Sequence, residues 1–273
     1  MTNVGFIGLG TQGAPMARRI VEGGYPLAIW ARRPETLEPF ADTAATAVGS
    51  PAEVGAASDI VGICVWSDAD VEDVLLRDDG VVAGMKPGGI IAVHSTIDPD
   101  NCIRLAAKVA EHGITLVDAP VSGSAEAAEA GNLLVMAAGD EAAVETCRPV
   151  FATYADPIVF LGEVGAAQTA KVINNLMLGA HMALAIEGFQ LASALGVDLD
   201  GMAQVLAAGT GASRAAGIVA QSQFAYDYLK QNSAKYFIKD LALIQEVVKA
   251  KGIDQPEAIL GVARKAFVAP DAS

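Results

Sequence analysis

Gly8-Leu9-Gly10-Thr11-Gln12-Gly13 sets three glycines at the spacing of a turn that holds a pyrophosphate. The run follows the apolar stretch from Asn3 to Ile7 and leads into Ala14-Pro15-Met16-Ala17-Arg18-Arg19-Ile20-Val21, so it sits between a predicted strand and a predicted helix. That placement is what the chemistry needs. Gly8 permits the tight turn, Gly10 lets phosphates approach the backbone, and Gly13 lets helix and strand pack closely, while the helix N-terminus presents N–H donors and the positive end of its dipole. The spacing predicts a dinucleotide held by Gly8, Leu9, Gly10, Thr11, Gln12 and Gly13. The competing reading is a structural turn in a chain with 28 glycines.

About 20 residues on, where such sites choose their cofactor, the chain reads Trp30-Ala31-Arg32-Arg33-Pro34,. An acidic residue there would bond a ribose 2′-hydroxyl and repel a 2′-phosphate. Guanidiniums bind that phosphate by charge-assisted, often bidentate hydrogen bonds. The expectation is NADP(H), with Arg32 favoured over Arg33; two solvated surface arginines are the alternative.

The remaining chemistry-bearing residues point nowhere else. Cys64, Cys102 and Cys147 are too far apart for a zinc or dithiol motif and read as small core residues of a protein from a reducing compartment,. His94, His112 and His181 show no metal-ligand spacing, so no metal is expected,. His94, Ser95 and Asp118 spell a hydrolytic triad, but Ser95 lacks the GxSxG elbow,. Gly209-Thr210-Gly211-Ala212-Ser213 is a glycine-rich turn among helices with no strand before it, hence not a second phosphate loop.

The elements that must position these residues fall into two sets. Strands are predicted at Val4–Gly8, Pro26–Trp30, Thr46–Val48, Ile60–Val65, Gly89–His94, Ile114–Asp118, Leu133–Ala137 and Ile158–Leu161, alternating with Ala-rich helical stretches. Runs such as Ile60-Val61-Gly62-Ile63-Cys64-Val65 have no polar face, as expected of parallel strands covered by helices on both sides,. From Ala166 to about Leu195 the pattern turns helical over roughly 45 Å, followed by helices at Asp200–Ala207, Ala215–Leu229, Ile238–Lys251 and Pro256–Phe267 and a frayed tail, Ala269–Ser273,. The fold class is α/β: a Rossmann-type doubly wound domain over residues 1–162 and an all-α domain over 163–273, joined by a long helix.

Composition excludes several partners. Thirty-two acidic against 18 basic residues leave a net charge of −14 over 273 residues, the wrong sign for a nucleic-acid or anionic-membrane surface,. The apolar mass is aliphatic, with 52% hydrophobic but only 5% aromatic residues, which suits closely packed helices and buried strands,. The chain opens directly into a strand without a charged and apolar leader, and its most apolar stretch, Val172 to Ile186, is short and holds Asn174, Asn175 and His181,. A soluble, cytoplasmic protein is expected.

With these residues in view, the chain resembles the β-hydroxyacid dehydrogenases, the family of 3-hydroxyisobutyrate dehydrogenase, tartronate semialdehyde (glyoxylate) reductases and the more distant 6-phosphogluconate dehydrogenase. Four segments occur in that family's order. Gly5-Phe6-Ile7-Gly8-Leu9-Gly10…Gly13…Met16-Ala17 is similar to its cofactor signature. Asp118-Ala119-Pro120-Val121-Ser122-Gly123-Ser124 resembles its substrate segment, Gly162…Gly165…Lys171…Asn174-Asn175 its catalytic segment, and Lys239-Asp240-Leu241 the Lys-Asp-Leu near its nicotinamide.

The resemblance implies hydride transfer between NADP(H) and a small 3-hydroxy acid or its semialdehyde. It assigns substrate carboxylate binding to Ser122, Gly123 and Ser124, general acid–base work to Lys171, and substrate positioning to Asn174 and Asn175. Val65, the Ser95-Thr96 turn and Lys239 would lie along the cofactor. Homodimers or homotetramers built through the helical domain are implied as well. An imine reductase shares the architecture but usually lacks the lysine, so Lys171 counts against it. A cofactor-binding scaffold without chemistry is disfavoured by the intact Lys171, Asn175 and Lys239. Departures are Gln12 in place of the usual Met, Trp66-Ser67 where Pro usually stands at position 66, a less apolar stretch from Asn232 to Phe237, and a short C-terminus. They leave the identity of the substrate open.

Overall fold

The structure, a computed structural model, describes residues 2–267, with the backbone alone at 230, 232–236, 266 and 267. The tail Ala269–Ser273 lies outside the described residues, as do the side chains from Asn232 to Tyr236 in the stretch noted above. The chain divides into two compact units, Met1–Lys171 and Val172–Ser273.

In the first unit, β1 (Val4–Ile7) leads through the glycine corner into α1 (Gly13–Glu22), then β2 (Leu27–Trp30), a 3-10 turn at Pro34–Phe40, β3 (Thr46–Ala47) and α2 (Pro51–Ala56). There follow β4 (Ile60–Ile63), α3 (Asp68–Leu76), α4 (Val81–Gly84), β5 (Ile90–Val93), α5 (Pro99–Ala110) and β6 (Thr115–Asp118). These six strands are all parallel in the order β3-β2-β1-β4-β5-β6, the doubly wound order of a Rossmann sheet,. Val4 of β1 stands between Leu27 of β2 and Ile60 of β4.

The strands are apolar throughout because both faces are covered, yet alternation persists. Val4 and Phe6 join one core with Met16 and Ile20 of α1, while Ile7, Val61 and Ile63 join the other with Val71, Val74 and Leu75 of α3. Burial of side chains of this size is worth about 1.5–3 kcal/mol each, so the two cores hold the sheet between its helices.

The later strands do not extend that sheet. β7 (Val121–Ser122), β8 (Leu133–Ala137) and β9 (Ala155–Phe160) form a separate three-stranded sheet, with β7 antiparallel to β8 and β9 parallel to it. The two-residue strand β7 was not expected. Pro120, with no N–H to donate, ends the run from β6, and an antiparallel bridge between Asp118 and Ala138 turns the chain into the second sheet,. Helices α6 (Ala125–Glu129) and α7 (Glu141–Phe151) fill the connections.

α8 (Ala166–Ala194) runs as expected, and the boundary between the two units falls within it. By length and composition it could cross a bilayer, contrary to the sequence reading; half of its most apolar window is buried inside the protein. After α9 (Leu199–Ala208), the expected helix from Ala215 to Leu229 is broken into α10 (Arg214–Gln221) and α11 (Tyr226–Ala250). Gln223 and Phe224 take left-handed φ of 55° and 59°, which turns the Phe224 ring edge-on to buried Phe189 at 5.0 Å. Phe224, half-buried, packs there against the cluster that holds Phe189. Beyond the break α11 runs through the stretch from which Ile238 was expected to begin a new helix, and α12 (Glu257–Phe267) ends the described chain.

Candidate functional site

The glycine corner is built from backbone. Gly8 has φ +101°, and a Cβ there would run into the Cys64 carbonyl, while one on Gly13 would run into the Gly8 carbonyl. Gly10 differs: it is exposed, and a Cβ on it would meet nothing within 4 Å. The open side of the corner is therefore the side from which a phosphate approaches. No side chain caps α1 and no acidic residue stands in its first turn, so its N–H groups and dipole are not spent on the protein's own carboxylates,. Gln12, at the N-cap position, has a buried Nε2 with no hydrogen-bond partner. These features fit a bound pyrophosphate. Leu9 is buried beneath the corner and Thr11 is exposed on it.

Arg32 and Arg33 follow β2 and are both exposed, but they face different company. Arg32 pairs with Asp70 at 3.1 Å and Asp73 at 3.3 Å, both on α3. The Arg32 guanidinium and the Ser67 hydroxyl, which donates to Asp70 at 2.7 Å, hold that carboxyl below the usual range, Ser67 more strongly. Arg33 makes no ion pair among the described residues. It stands in extended backbone at the start of the 3-10 turn.

The loops after β4 and β5 are tied to each other. The Val65 N–H donates to the Ser95 hydroxyl at 2.8 Å. Ser95 is buried, Thr96 half-buried, and Trp66 beside them is 48% exposed, so the departure at that position is a large ring on the rim. His94 is buried against Phe6, Phe151 and Tyr154. Its Nδ1 donates to the Ala119 carbonyl at 2.7 Å, which leaves Nε2 to accept from the Tyr154 hydroxyl at 3.2 Å,. Burial pushes its pKa down to about 4, against the opposing pull of the Ala119 carbonyl. His94 is a neutral core residue and takes no part in a triad.

Asp118, the last residue of β6, is fully buried. Its Oδ2 accepts from the backbone N–H groups of Gly165 at 3.1 Å and Gln168 at 3.0 Å, so it caps the first turn of α8 from outside the helix. Oδ1 is buried without a partner, and burial raises the carboxyl's pKa despite those N–H groups. The Gln168 side chain donates to the Ser95 carbonyl at 2.9 Å and accepts from the Ile97 N–H at 3.1 Å. Sequence reasoning did not pick out Gln168. Its only signal was one amide in the run Ala166-Ala167-Gln168-Thr169-Ala170. Lys171 follows on the next turn and is half-buried.

The three residues from Ser122 to Ser124 differ in their surroundings. Ser122 is half-buried on β7 opposite Leu134, and Gly123 is exposed with φ +139°. Ser124 uses its hydroxyl to cap α6, accepting from Ala127 N–H at 3.3 Å. In the second unit Asn174 donates to Asn175 at 3.1 Å, and the Asn175 amide donates to Asp240 at 2.6 Å. The Asp240 partner, next to half-buried Lys239, was also not foreseen. No cluster of three metal-ligating side chains occurs among the described residues. Cys102 and Cys147 are buried and Cys64 is half-buried against the core, and burial pushes the Cys64 and Cys147 thiols up to about 12.

Comparison with known proteins places this geometry in context. Residues 3–162 match the NAD binding domain of 6-phosphogluconate dehydrogenase, and residues 165–269 match the NAD-binding region of NADP-dependent 3-hydroxyisobutyrate dehydrogenase. An uncharacterized oxidoreductase of Mycobacterium tuberculosis is 40% identical over 203 residues, 74% of this chain and 68% of that protein. The NAD-dependent L-serine dehydrogenase of Pseudomonas aeruginosa is 32% identical over 96% of this chain and 90% of its own. The crystal structure of a 3-hydroxyisobutyrate dehydrogenase from Salmonella typhimurium superposes with TM-score 0.83 at 32% identity, covering 96% of this chain and 92% of that one.

Proposed function

Since the chain belongs to the 3-hydroxyisobutyrate dehydrogenase family of oxidoreductases acting on small hydroxy acids, we propose that it is an NADP(H)-dependent enzyme interconverting a 3-hydroxy acid and its semialdehyde, with Lys171 as the acid–base group. One observation carries this reading. The open glycine corner and Lys171 belong to the same compact unit, and the lysine is half-buried one turn beyond a helix start that is hydrogen-bonded to the loop after β5.

The cofactor's phosphates fit the N–H groups of Gly8 to Gly13, with Leu9, Thr11 and Gln12 completing the corner, and Val65, Ser95 and Thr96 lie on neighbouring strand ends. The 2′-phosphate falls to Arg32 and Arg33. Family likeness assigns Lys239, in the second unit, to the cofactor as well. The chemistry that a bound cofactor would supply is hydride exchange with the substrate's carbonyl or carbinol carbon. The Ser122 hydroxyl and the Gly123 N–H hold the substrate carboxylate. In the reducing direction the Lys171 ammonium gives a proton to the carbonyl oxygen; in the oxidising direction the neutral amine takes the proton from the hydroxyl. The Asn175 amide, braced by Asp240, orients the substrate, and Asn174 braces Asn175 in turn.

We also assign self-association to the helical unit, because Ile173, Met177, Leu184 and Leu191 form an exposed apolar stripe along α8,. A small carboxylate is the partner, and a soluble, cytoplasmic enzyme is the setting that this reading gives.

The test is turnover. NADPH and NADH oxidation is followed with glyoxylate, succinic semialdehyde, methylmalonate semialdehyde, tartronate semialdehyde and a cyclic imine. The reading expects a semialdehyde or keto acid to be reduced, at least tenfold faster with NADPH. Preference for the imine, or for NADH, would overturn the corresponding half.

A further inference from the structure

We infer that Gln168, held by Asp118, is the positioning residue that fixes Lys171 against the cofactor-side loops. The inference rests on the reading of Lys171 as the acid–base group and names what places it.

Glutamine is seldom fully buried, and this one has no exposed surface,. A buried primary amide is tolerated only where its donors and acceptor find partners. Gln168 finds them in one loop, its Nε2 donating to Ser95 O and its Oε1 accepting from Ile97 N–H. Ser95 in turn receives the Val65 N–H on its hydroxyl. From the other side, Asp118 Oδ2 takes both the Gln168 and the Gly165 N–H. The ends of β5 and β6 thus converge on the first turn of α8, and the end of β4, their parallel neighbour, is linked to it through Ser95.

A neutral hydrogen bond contributes only about 0.5–1.5 kcal/mol net, but losing the Gln168 amide would also leave the buried Ser95 carbonyl and Ile97 N–H without that partner, at about 1–3 kcal/mol each,. What two directional bonds to one loop add is register: they stop the helix from rotating about its axis or sliding along it. Lys171 is three residues on, a neighbour on the same helix surface. A misplacement of about 1 Å costs on the order of a hundredfold in rate, so register at Gln168 bears directly on proton transfer at Lys171.

The experiment uses the full chain with NADPH and whichever of glyoxylate, succinic semialdehyde or methylmalonate semialdehyde it reduces fastest. Gln168→Met keeps the volume and removes both bonds. It is expected to bind NADPH within threefold of the parent, by cofactor fluorescence, and to keep KM within threefold. Its kcat should fall at least tenfold, and the limb of its kcat–pH profile that Lys171→Ala abolishes should move by at least half a pH unit. Asp118→Asn, which retains an acceptor for the two N–H groups, should stay within fivefold of parental kcat, whereas Asp118→Ala should lose tenfold or more. Parental kcat and pH profile in Gln168→Met would overturn the inference, as would a loss of kcat that only follows the loss of cofactor-binding protein. If Gln168→Met does not fold, equal kcat in Asp118→Asn and Asp118→Ala overturns it. The underlying reading fails separately, by full activity in Lys171→Ala.

Discussion

At the Gly8–Gly13 corner every contact that matters is made by backbone, and the side that would face a ligand is left open. At the first turn of α8 the reverse holds: the chain is enclosed, and side chains of Asp118 and Gln168 make the bonds. The corner achieves its shape by omission, since a Cβ on Gly8 or Gly13 would strike a carbonyl. The α8 start achieves its place by addition, through polar groups whose partners lie 47 to 73 positions away in the chain. On the proposed reading, one region binds by shape and the other locates a reactive group. They should therefore fail in different ways.

The largest effect is expected at the corner. Gly8→Ala forces a side chain into the Cys64 carbonyl at a φ that L-residues rarely adopt, and NADPH affinity should fall by roughly a hundredfold, read by fluorescence titration,. If affinity is kept, the corner is not shaped by its glycines.

Acid should then act on the buried side-chain region and spare the corner. His94 has a folded pKa of about 4 against 6.5 unfolded, so its contribution is complete above the unfolded value and is lost as pH falls toward 4. Linkage puts this at about 2 kcal/mol between pH 6.5 and 5. Asp118, raised by burial, works in the opposite sense, because the folded protein takes up its proton more readily as pH falls. Urea unfolding should show the acid loss in the parent, a flatter curve in His94→Gln, and a steeper one in Asp118→Asn.

The smallest effects concern the arginines. Arg32→Ala should weaken NADPH by about tenfold with NADH nearly unchanged, the size of one charge-assisted contact. Because Asp70 and Asp73 already engage Arg32, replacing both with Asn should tighten NADPH by about threefold,. NADPH binding that ignores Arg32 but responds to Arg33→Ala would move the 2′-phosphate to Arg33.

The contrast also explains what could be read from the chain beforehand. The corner was legible because omission leaves a mark: glycines at fixed spacing between an apolar run and a helix. The sheet was legible because strands such as Ile60–Ile63 are covered on both faces and so are apolar at every position. β7 was not, since two residues carry no period. The break at Gln223 and Phe224 was hidden because it depends on Phe189, far away in sequence. Lys171 and Asn175 stood out chiefly through family likeness, with the spacing of Lys171, Asn174 and Asn175 on one helix face as the local sign,. Gln168, and the pairing of Asp240 with Asn175, were missed because a residue that acts through a distant partner has no local pattern.

The most direct measurement is a single turnover. With NADPH bound and the best semialdehyde added in a stopped-flow instrument, parent and Lys171→Ala are compared for hydride transfer and, separately, for NADPH affinity. The account predicts unchanged affinity and a transfer rate lower by about a thousandfold, within the range for losing a general acid. Transfer at close to the parental rate, with the cofactor bound, would contradict it.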